Sequence, residues 1–276
     1  MRLLACTVTD RPGKVLRSCI EQVLATCPDA NFLVVNNGRN PKEFTSELPV
    51  SKDITFAHVP VNLGHPVGVN CGMQIAASQG YDFFLLVDDN VELVTKDWYS
   101  KCLELMKFDK KIGLIGAKVL DTAQKTVQWG YTRFNSRGPT FSQGQPREKE
   151  ELGGIYRASM VAGCFLFMRL DCIRKVGFYD LLFSPARHGD ADYAFRVWLA
   201  GYSCVYDGRI EIVHYGYQGY TPEQAPLRKL HMKGHRHVLD LKYDGFVKFG
   251  LGLEEKIEDL GREIALPEAG KRRKSE

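Results

Sequence analysis

The segment Phe83-Phe84-Leu85-Leu86-Val87-Asp88-Asp89-Asn90 constrains this chain more than any other. Its five apolar residues are too few for a helix and are bounded by polar ones, so the stretch reads as a strand buried on both faces. Such strands belong to parallel sheets. The run passes directly into two carboxylates and an amide. Open α/β sheets bind ligands outside the carboxyl ends of their strands, and a buried strand ending this way presents hard oxygen donors there. Side chains alternate along a strand, which directs Asp88 and Asn90 to one side and Asp89 to the other. Two readings stand side by side: a solvated turn built from ordinary turn formers, or Asp88 and Asn90 holding a divalent cation that carries a diphosphate.

The preceding residues repeat the pattern of apolar run and polar break. Leu3 to Val8 is rich in strand formers and breaks at Thr9-Asp10-Arg11-Pro12-Gly13. Leu16, Cys19, Ile20, Val23 and Leu24 recur at helical spacing, and the helix must stop ahead of Pro28 because the residue before a proline disfavours helical backbone. Phe32 to Val35 and Ile54 to Val59 read as further strands, and Gly68 to Ser78 as a helix of small and apolar residues suited to close packing. Strand, helix, strand, strand, helix, strand predicts a parallel α/β sheet with both faces covered. The loops after Val8, Val35, Val59 and Val87 then share one edge. They carry Thr7, Thr9, Asn36, Asn37, Gly38, Asn62, Gly64 and Asn70. Taken singly, each suits a turn. Together they offer amides and hydroxyls to a nucleobase and ribose, glycines for close backbone approach, and helix-start N–H groups for phosphate. Neither G-x-x-x-x-G-K-[ST] nor G-x-G-x-x-G occurs, which excludes a P-loop and a dinucleotide fingerprint.

Beyond Asn90, Thr95 suits the cap of a helix whose apolar positions include Trp98, Cys102, Leu105 and Met106. Ile112 to Leu120 and Thr126 to Phe134 read as strands, the second interrupted by Trp129-Gly130. Residues Asn135 to Gly154 shift to Gly, Pro, Ser, Gln and charge, the composition of a mobile excursion or lid. Met160 to Met168 reads as a buried strand in which Gly163 marks a bulge or a close backbone approach. Asp171 suits the cap of a short helix ending at Gly177. In His188-Gly189-Asp190-Ala191-Asp192, Asp190 opens a helix as a cap or dipole partner, and Asp192 lies one turn from Arg196, the spacing of an ion pair. Arg209 to Val213 is a strand that delivers His214, in the same order of apolar run then polar residue as at Asp88. Tyr215 to Tyr220 is aromatic and glycine-rich, able to stack on a sugar or base. Pro226 to Tyr243 reads as a helix whose His231, Lys233, His235, Arg236 and His237 form either a solvated basic face or a metal site, and Glu254 to Ile264 as a terminal amphipathic helix.

With 276 residues and 44% hydrophobic content the chain can bury a substantial core. Eight scattered cysteines without C-x-x-C spacing fit free thiols in a reducing compartment, and no apolar run has the length of a signal peptide or membrane span. A cytoplasmic protein is the expectation. The basic end, Lys271-Arg272-Arg273-Lys274, reads as a disordered tail that either stays solvated or touches nucleic acid or an anionic membrane.

The ordered set of motifs resembles glycosyltransferase family 2, nucleotide-sugar glycosyltransferases of the GT-A fold, over roughly residues 2 to 216. Thr7-Val8-Thr9-Asp10-Arg11-Pro12 is similar to the family's opening strand and turn, Val34-Val35-Asn36-Asn37-Gly38 to its V-V-D-N-x-S segment, and Asn62 to Gly72 to its N-x-G-x-x-x-G-x-N-x-G element. Asp88-Asp89-Asn90 stands where the family carries D-x-D. Ala162-Gly163-Cys164-Phe165 with Val176 to Asp180 resembles the acceptor side, Gly189-Asp190-Ala191-Asp192 resembles E-D-x-D, and Val213-His214 matches a later metal-binding histidine. The resemblance implies an α/β fold with a mixed, mostly parallel central sheet flanked by helices and a helical extension at the C-terminus. Residues 1–216 would form the transferase domain, with 1–90 holding the nucleotide and 91–216 the acceptor and catalytic groups; 217–265 would be the extension and 266–276 the tail. It implies transfer of a hexosyl or pentosyl group from a nucleoside diphosphate sugar, a UDP-sugar by preference, to an acceptor hydroxyl. Asp190 would be the base of an inverting reaction. Mn²⁺ or Mg²⁺ would sit on Asp88, Asn90 and His214. Thr7, Thr9, Arg11, Asn36, Asn37, Asn62, Gly64, Asn70, Asp88 and Asp89 would contact the donor nucleotide, and Trp129, Gly163, Cys164 and Asp192 the acceptor or the donor sugar. The acceptor stays open among glycan, lipid-linked sugar, protein and a modified nucleic-acid base.

Three positions depart from the pattern. Asn36 replaces the acid that reads the nucleoside, Asn90 the second acid of D-x-D, and Gly189 the Glu before the base. Two rival functions remain: a sugar nucleotidyltransferase of related fold, although no glycine-rich start with a basic triphosphate loop is present, and a non-catalytic relative that binds nucleotide sugar or glycan. Retaining chemistry also stays open, since Phe195-Arg196-Val197-Trp198 is similar to a helix of retaining polypeptide sugar transferases.

Overall fold

A computed structural model describes residues 1–11, 13–46, 48–49, 51–132, 147–148, 150, 152–216, 225–248 and 263–266. In chain order its elements are β1 (Leu3–Thr9), α1 (Lys14–Thr26), β2 (Ala30–Asn37), α2 (Pro41–Ser46), β3 (Ile54–Val59), α3 (His65–Ser78), β4 (Phe83–Val87), β5 (Val91–Leu93), α4 (Trp98–Phe108) and β6 (Ile112–Leu120). There follow β7 (Thr126–Trp129), β8 (Tyr131–Thr132), β9 (Arg147–Glu148), β10 (Ile155–Ala158), β11 (Met160–Val161), β12 (Phe165–Arg169), α5 (Leu170–Val176), α6 (Gly189–Leu199), β13 (Ser203–His214) and α7 (Ala225–Lys248).

The main sheet runs β10-β13-β6-β12-β4-β1-β2-β3. Strands β3, β2, β1, β4, β6 and β13 share one direction, and β12 and β10 run against them. The carboxyl ends of β1, β2, β4 and β13 therefore meet on a single edge, and the antiparallel β12 starts there. Residue alternation sorts the core onto two faces. Leu3, Ala5, Phe83, Leu85 and Val87 pack with α1 and α4, while Leu4, Cys6, Phe84 and Leu86 pack with α3 and α6. All five β4 side chains are buried. Each fully buried Leu or Phe contributes about 1.5–3 kcal/mol, which pins the register of the strand that delivers Asp88. All eight cysteines are unpaired thiols, and among the described residues no helix is long and apolar enough to cross a membrane.

Several sequence expectations are corrected. Thr95 caps no helix; α4 starts at Trp98, and the Thr95 hydroxyl accepts from the Glu211 N–H at 2.8 Å, tying the loop after β5 to β13. Met160 to Met168 divides into β11 and β12, because the chain turns at Ala162-Gly163-Cys164. Asp171 lies inside the first turn of α5 rather than before it. The strand delivering His214 begins at Ser203 and includes a register shift between Asp207 and Glu211. Most of the expected 135–154 excursion, the end of the 126–134 strand, residues 217–220, most of the 254–264 helix and nearly all of the basic tail lie outside the described residues.

Candidate active site

Asp88, Asp89 and Asn90 follow β4 in a turn, so the strict alternation of a strand ends at Val87 and all three residues line one cavity of about 950 Å³. Asp89 does not face away. The Asp88 N–H donates to the Cys164 carbonyl at 3.0 Å, which locks the turn against the start of β12. From β13, His214 places Nε2 3.9 Å from Asp88 Oδ2, and its Nδ1 lies 3.2 Å from Gln128 Oε1. At the start of α3, His65 places Nε2 3.7 Å from Asp88 Oδ1. Thr9, from the end of β1, donates its hydroxyl to Asp89 and accepts the Arg11 N–H at 2.9 Å.

Burial sets the ionisation of this group. The Asp88 carboxyl is pushed up to about 6 by desolvation and then by the Asp190 charge, against the pull of His214 and Arg187. Nearly a third of its side chain (32%) still faces the open cavity, so a ligand can reach it. Asp89 is likewise raised to about 6 by desolvation, with the Thr9 hydrogen bond opposing and Asp88 adding to the rise. Burial pushes His65, His188 and His214 down, which leaves neutral imidazoles at pH 7. A neutral imidazole beside a carboxylate is a competent pair of metal donors.

Asp190 sits in the first turn of α6, and its Oδ1 accepts the Ala191 N–H at 2.9 Å. A Cβ at position 163 would come within 2.9 Å of Asp190 Oδ2, so Gly163 supplies the close approach that a glycine in this strand suggested. Gly189 also serves packing: a Cβ there would meet the Tyr179 ring at 3.2 Å. The turn before α6 holds two successive non-glycine residues at positive φ, Arg187 at 85° and His188 at 61°, and both line the cavity.

The donor-side expectations divide. Thr9, Arg11, Asn37, Asn62, Gly64, Asp88 and Asp89 line the cavity, as do Asn90, His214, Trp129, Gly163, Cys164 and Asp190. The Gly64 N–H and Asn37 Nδ2 both donate to Asn62 Oδ1, at 3.0 and 3.1 Å, so this amide braces the loop ahead of α3. Gly64, at φ 95°, passes so close to Pro185 that a Cβ would lie 2.6 Å from the Pro185 Cα, and the His65 N–H donates to the Pro185 carbonyl at 2.7 Å.

Four of the expected contact residues do not line the cavity. Asn36 is fully buried, bonds both the N–H and the carbonyl of Arg39 at 3.0 and 2.9 Å, and contacts His58 Nδ1 at 3.0 Å, which leaves it braced in the β2 turn rather than on the cavity wall. Asn70 spends its amide on the Tyr179 backbone, donating to the carbonyl at 2.9 Å and accepting the N–H at 2.7 Å. Thr7 is fully buried and does not line the cavity. Asp192 is fully buried and engaged by Arg196 at 2.9 Å, by Tyr243 at 2.7 Å and by Lys242, with no face toward the cavity.

Sequence reasoning missed His65, Arg187, His188 and the inner side of α7. His65 lies within a motif already singled out, and Arg187-His188 directly precede Gly189-Asp190, so adjacency was the available signal. On α7, Leu227, Arg228, His231, Met232 and Arg236 line the cavity. Their helical spacing is readable, but a basic helix face does not reveal what it faces. That face is therefore not wholly solvated.

The donor set fits a divalent cation. Asp88 and His214 converge, and Asn90 lines the same cavity with its Oδ1 buried and without a hydrogen-bond partner, while its Nδ2 donates to the Gly216 carbonyl at 2.7 Å. Among the described residues no group of three or more His, Cys, Asp or Glu side chains is placed to hold a metal ion, so the candidate donors are the pair of Asp88 and His214 and the Asn90 amide oxygen. An ion held by few protein groups leaves positions for phosphate oxygens, as Mg²⁺ sites commonly do.

The sequence model of the family described as Glycosyl transferase family 2 matches residues 7–177, a span that ends ahead of Asp190, His214 and α7. No curated protein matches the chain. Among solved structures, GalNAc-T7 with UDP, GalNAc and Mn²⁺ superposes with a TM-score of 0.60 at 15% identity, covering 81% of this chain and 45% of that one. A mannosyltransferase, PcManGT from Pyrobaculum calidifontis in complex with GDP-Man and Mn²⁺, superposes with a TM-score of 0.57 at 10% identity, covering 85% and 62%. The chain thus spans less than two thirds of either, and at such identity the likeness speaks for the fold alone.

Proposed function

The chain belongs to glycosyl transferase family 2, and from that premise we propose that it moves a sugar from a nucleoside diphosphate sugar to an acceptor hydroxyl, with inversion and with Asp190 as base. One observation carries this reading. Asp88, His214 and Asp190 come from separate elements and meet on one cavity beside the loops after β1, β2 and β4. Thr9, Arg11, Asn37 and Asp89 line its donor side, and Trp129 offers an aromatic face to a sugar. Asp88, His214 and Asn90 would hold Mn²⁺ or Mg²⁺, the imidazole favouring manganese, and such an ion would offset charge on the departing diphosphate. Asp190 takes the proton of the acceptor hydroxyl while that oxygen bonds to the anomeric carbon; the bond from that carbon to the diphosphate oxygen breaks, and its electron pair leaves with the diphosphate. A base on the acceptor side suits a single displacement. Uridine diphosphate sugars are the preferred donors, and the acceptor is a glycan, lipid-linked sugar, protein or modified base.

A thermal-shift screen of UDP- and GDP-sugars with and without Mn²⁺ tests the donor. Ligand at about 100 times its Kd should add about 2.7 kcal/mol of stability, and only when the cation is present. Proton NMR of the product then reads the anomeric configuration. A retained anomer would remove Asp190 from the role of base in a single displacement.

A further inference from the structure

Helix α7 lies beyond the residues matched by the family, yet it touches the turn that carries the catalytic group at several points. His235 is buried, packs edge-on against Phe183 at 5.7 Å, and places Nδ1 3.0 Å from the Ala186 carbonyl and 3.2 Å from the Arg187 carbonyl. Carbonyl oxygens only accept, so Nδ1 carries the proton and His235 is a forked donor to two consecutive peptide groups. About two turns further along, Lys242 bridges Asp180 and Asp192, the Tyr243 hydroxyl donates to Asp192 at 2.7 Å, and the Tyr243 ring stacks on Phe195 at 4.3 Å. Asp180 lies in the segment leading to the turn, and Asp192 and Phe195 lie in the helix after it. The clasped residues thus bracket 184–190 on both sides.

The turn needs such restraint. Arg187 and His188 both adopt the left-handed conformation that L side chains resist, at φ 85° and 61°. Relaxing either would redirect the first turn of α6, and with it the Asp190 carboxylate that sits against Gly163. Nothing in the turn's own sequence supplies a glycine at either position.

We infer that α7 is a strap that holds the 184–190 turn in its strained form, and that His235 is a positioning residue acting on Asp190 through the Ala186 and Arg187 carbonyls. This rests on the reading of Asp190 as base. It assigns His235, which does not line the cavity, a part in turnover and none in gripping the donor nucleotide.

The test uses the full chain. His235→Phe keeps a ring against Phe183 and removes the forked donor, whereas His235→Asn restores an N–H at the same reach. Hydrogen–deuterium exchange followed by mass spectrometry should show the amides of residues 184–192 exchanging at least about tenfold faster in H235F, with β1 to β4 unchanged, and recovering in H235N. Turnover of a UDP- or GDP-sugar with Mn²⁺, read as nucleoside diphosphate release with water as acceptor, should fall about 10- to 100-fold in kcat for H235F at a KM within about twofold, with recovery in H235N. Unchanged exchange in H235F, or a loss of kcat that H235N does not recover, overturns the strap. If the wild-type chain turns over neither donor, the glycosyl-transfer reading fails, while the exchange experiment still decides whether His235 restrains the turn.

Discussion

The two walls of the cavity are built differently. The loops after β1, β2 and β4 are fixed by adjacent parallel strands whose register is set by buried side chains, so Thr9, Asn37, Asp88 and Asp89 arrive on one edge. The opposite wall is a strained turn whose shape is imposed from outside, by Gly163, by Gly64 and His65 against Pro185, and by His235. A wall delivered by sheet register should tolerate loss of single contacts and respond mainly in ligand affinity. A wall held by imposed contacts should respond in rate.

The sharpest way to break this contrast is Asp190→Asn, which should lower transfer by at least about 10³-fold while donor affinity stays within about twofold, measured by product formation and calorimetry. Equal loss of both would place Asp190 on the donor wall. On the other wall, Asp88→Asn removes the carboxylate beside His214 and should weaken Mn²⁺ affinity about 100-fold, read by titration calorimetry on the nucleotide-free chain. Gly163→Ala forces a methyl to 2.9 Å from Asp190 Oδ2 and should cost roughly 10- to 100-fold in kcat, with a melting temperature showing that the sheet persists.

Acidity sharpens the comparison further. Asp88 is held near 6 by burial, so the cation-free site is protonated below that pH and a cation must displace the proton. Mn²⁺ affinity should fall about tenfold per pH unit below about 6 and level off above it, as the Asp88 carboxyl loses its proton. The smallest effect belongs to Asn70→Ala, which removes both bonds to the Tyr179 backbone. It should lower stability by about 1–3 kcal/mol in denaturant melts and leave donor affinity within about twofold, because that amide never faces the cavity.

Much of the first wall was legible in the chain. Asp88 follows a five-residue apolar run, His214 ends β13 directly after Ile212-Val213, and both land on the shared edge. Within the same loops, however, Asn36 and Asn37 are neighbours with different fates: one is consumed by Arg39 and His58, the other lines the cavity. Nothing local distinguishes them. The ion-pair spacing of Asp192 and Arg196 was visible, whereas Lys242 and Tyr243, 50 and 51 residues away, complete its burial.

Sequence by itself determined the layered α/β class, the direction of most strands, the edge that carries the cavity and the identity of the acids and histidine that reach it. These follow from hydrophobic period and the placement of polar breaks, which are local properties of a chain. Tertiary structure alone decided which amides remain available, that Asp89 shares the cavity with Asp88, that His65 and Arg187 belong to it, and that α7 closes it. Whether a polar group is free to bind depends on partners far along the chain, such as Tyr179, 109 residues from Asn70, and no local pattern encodes that pairing.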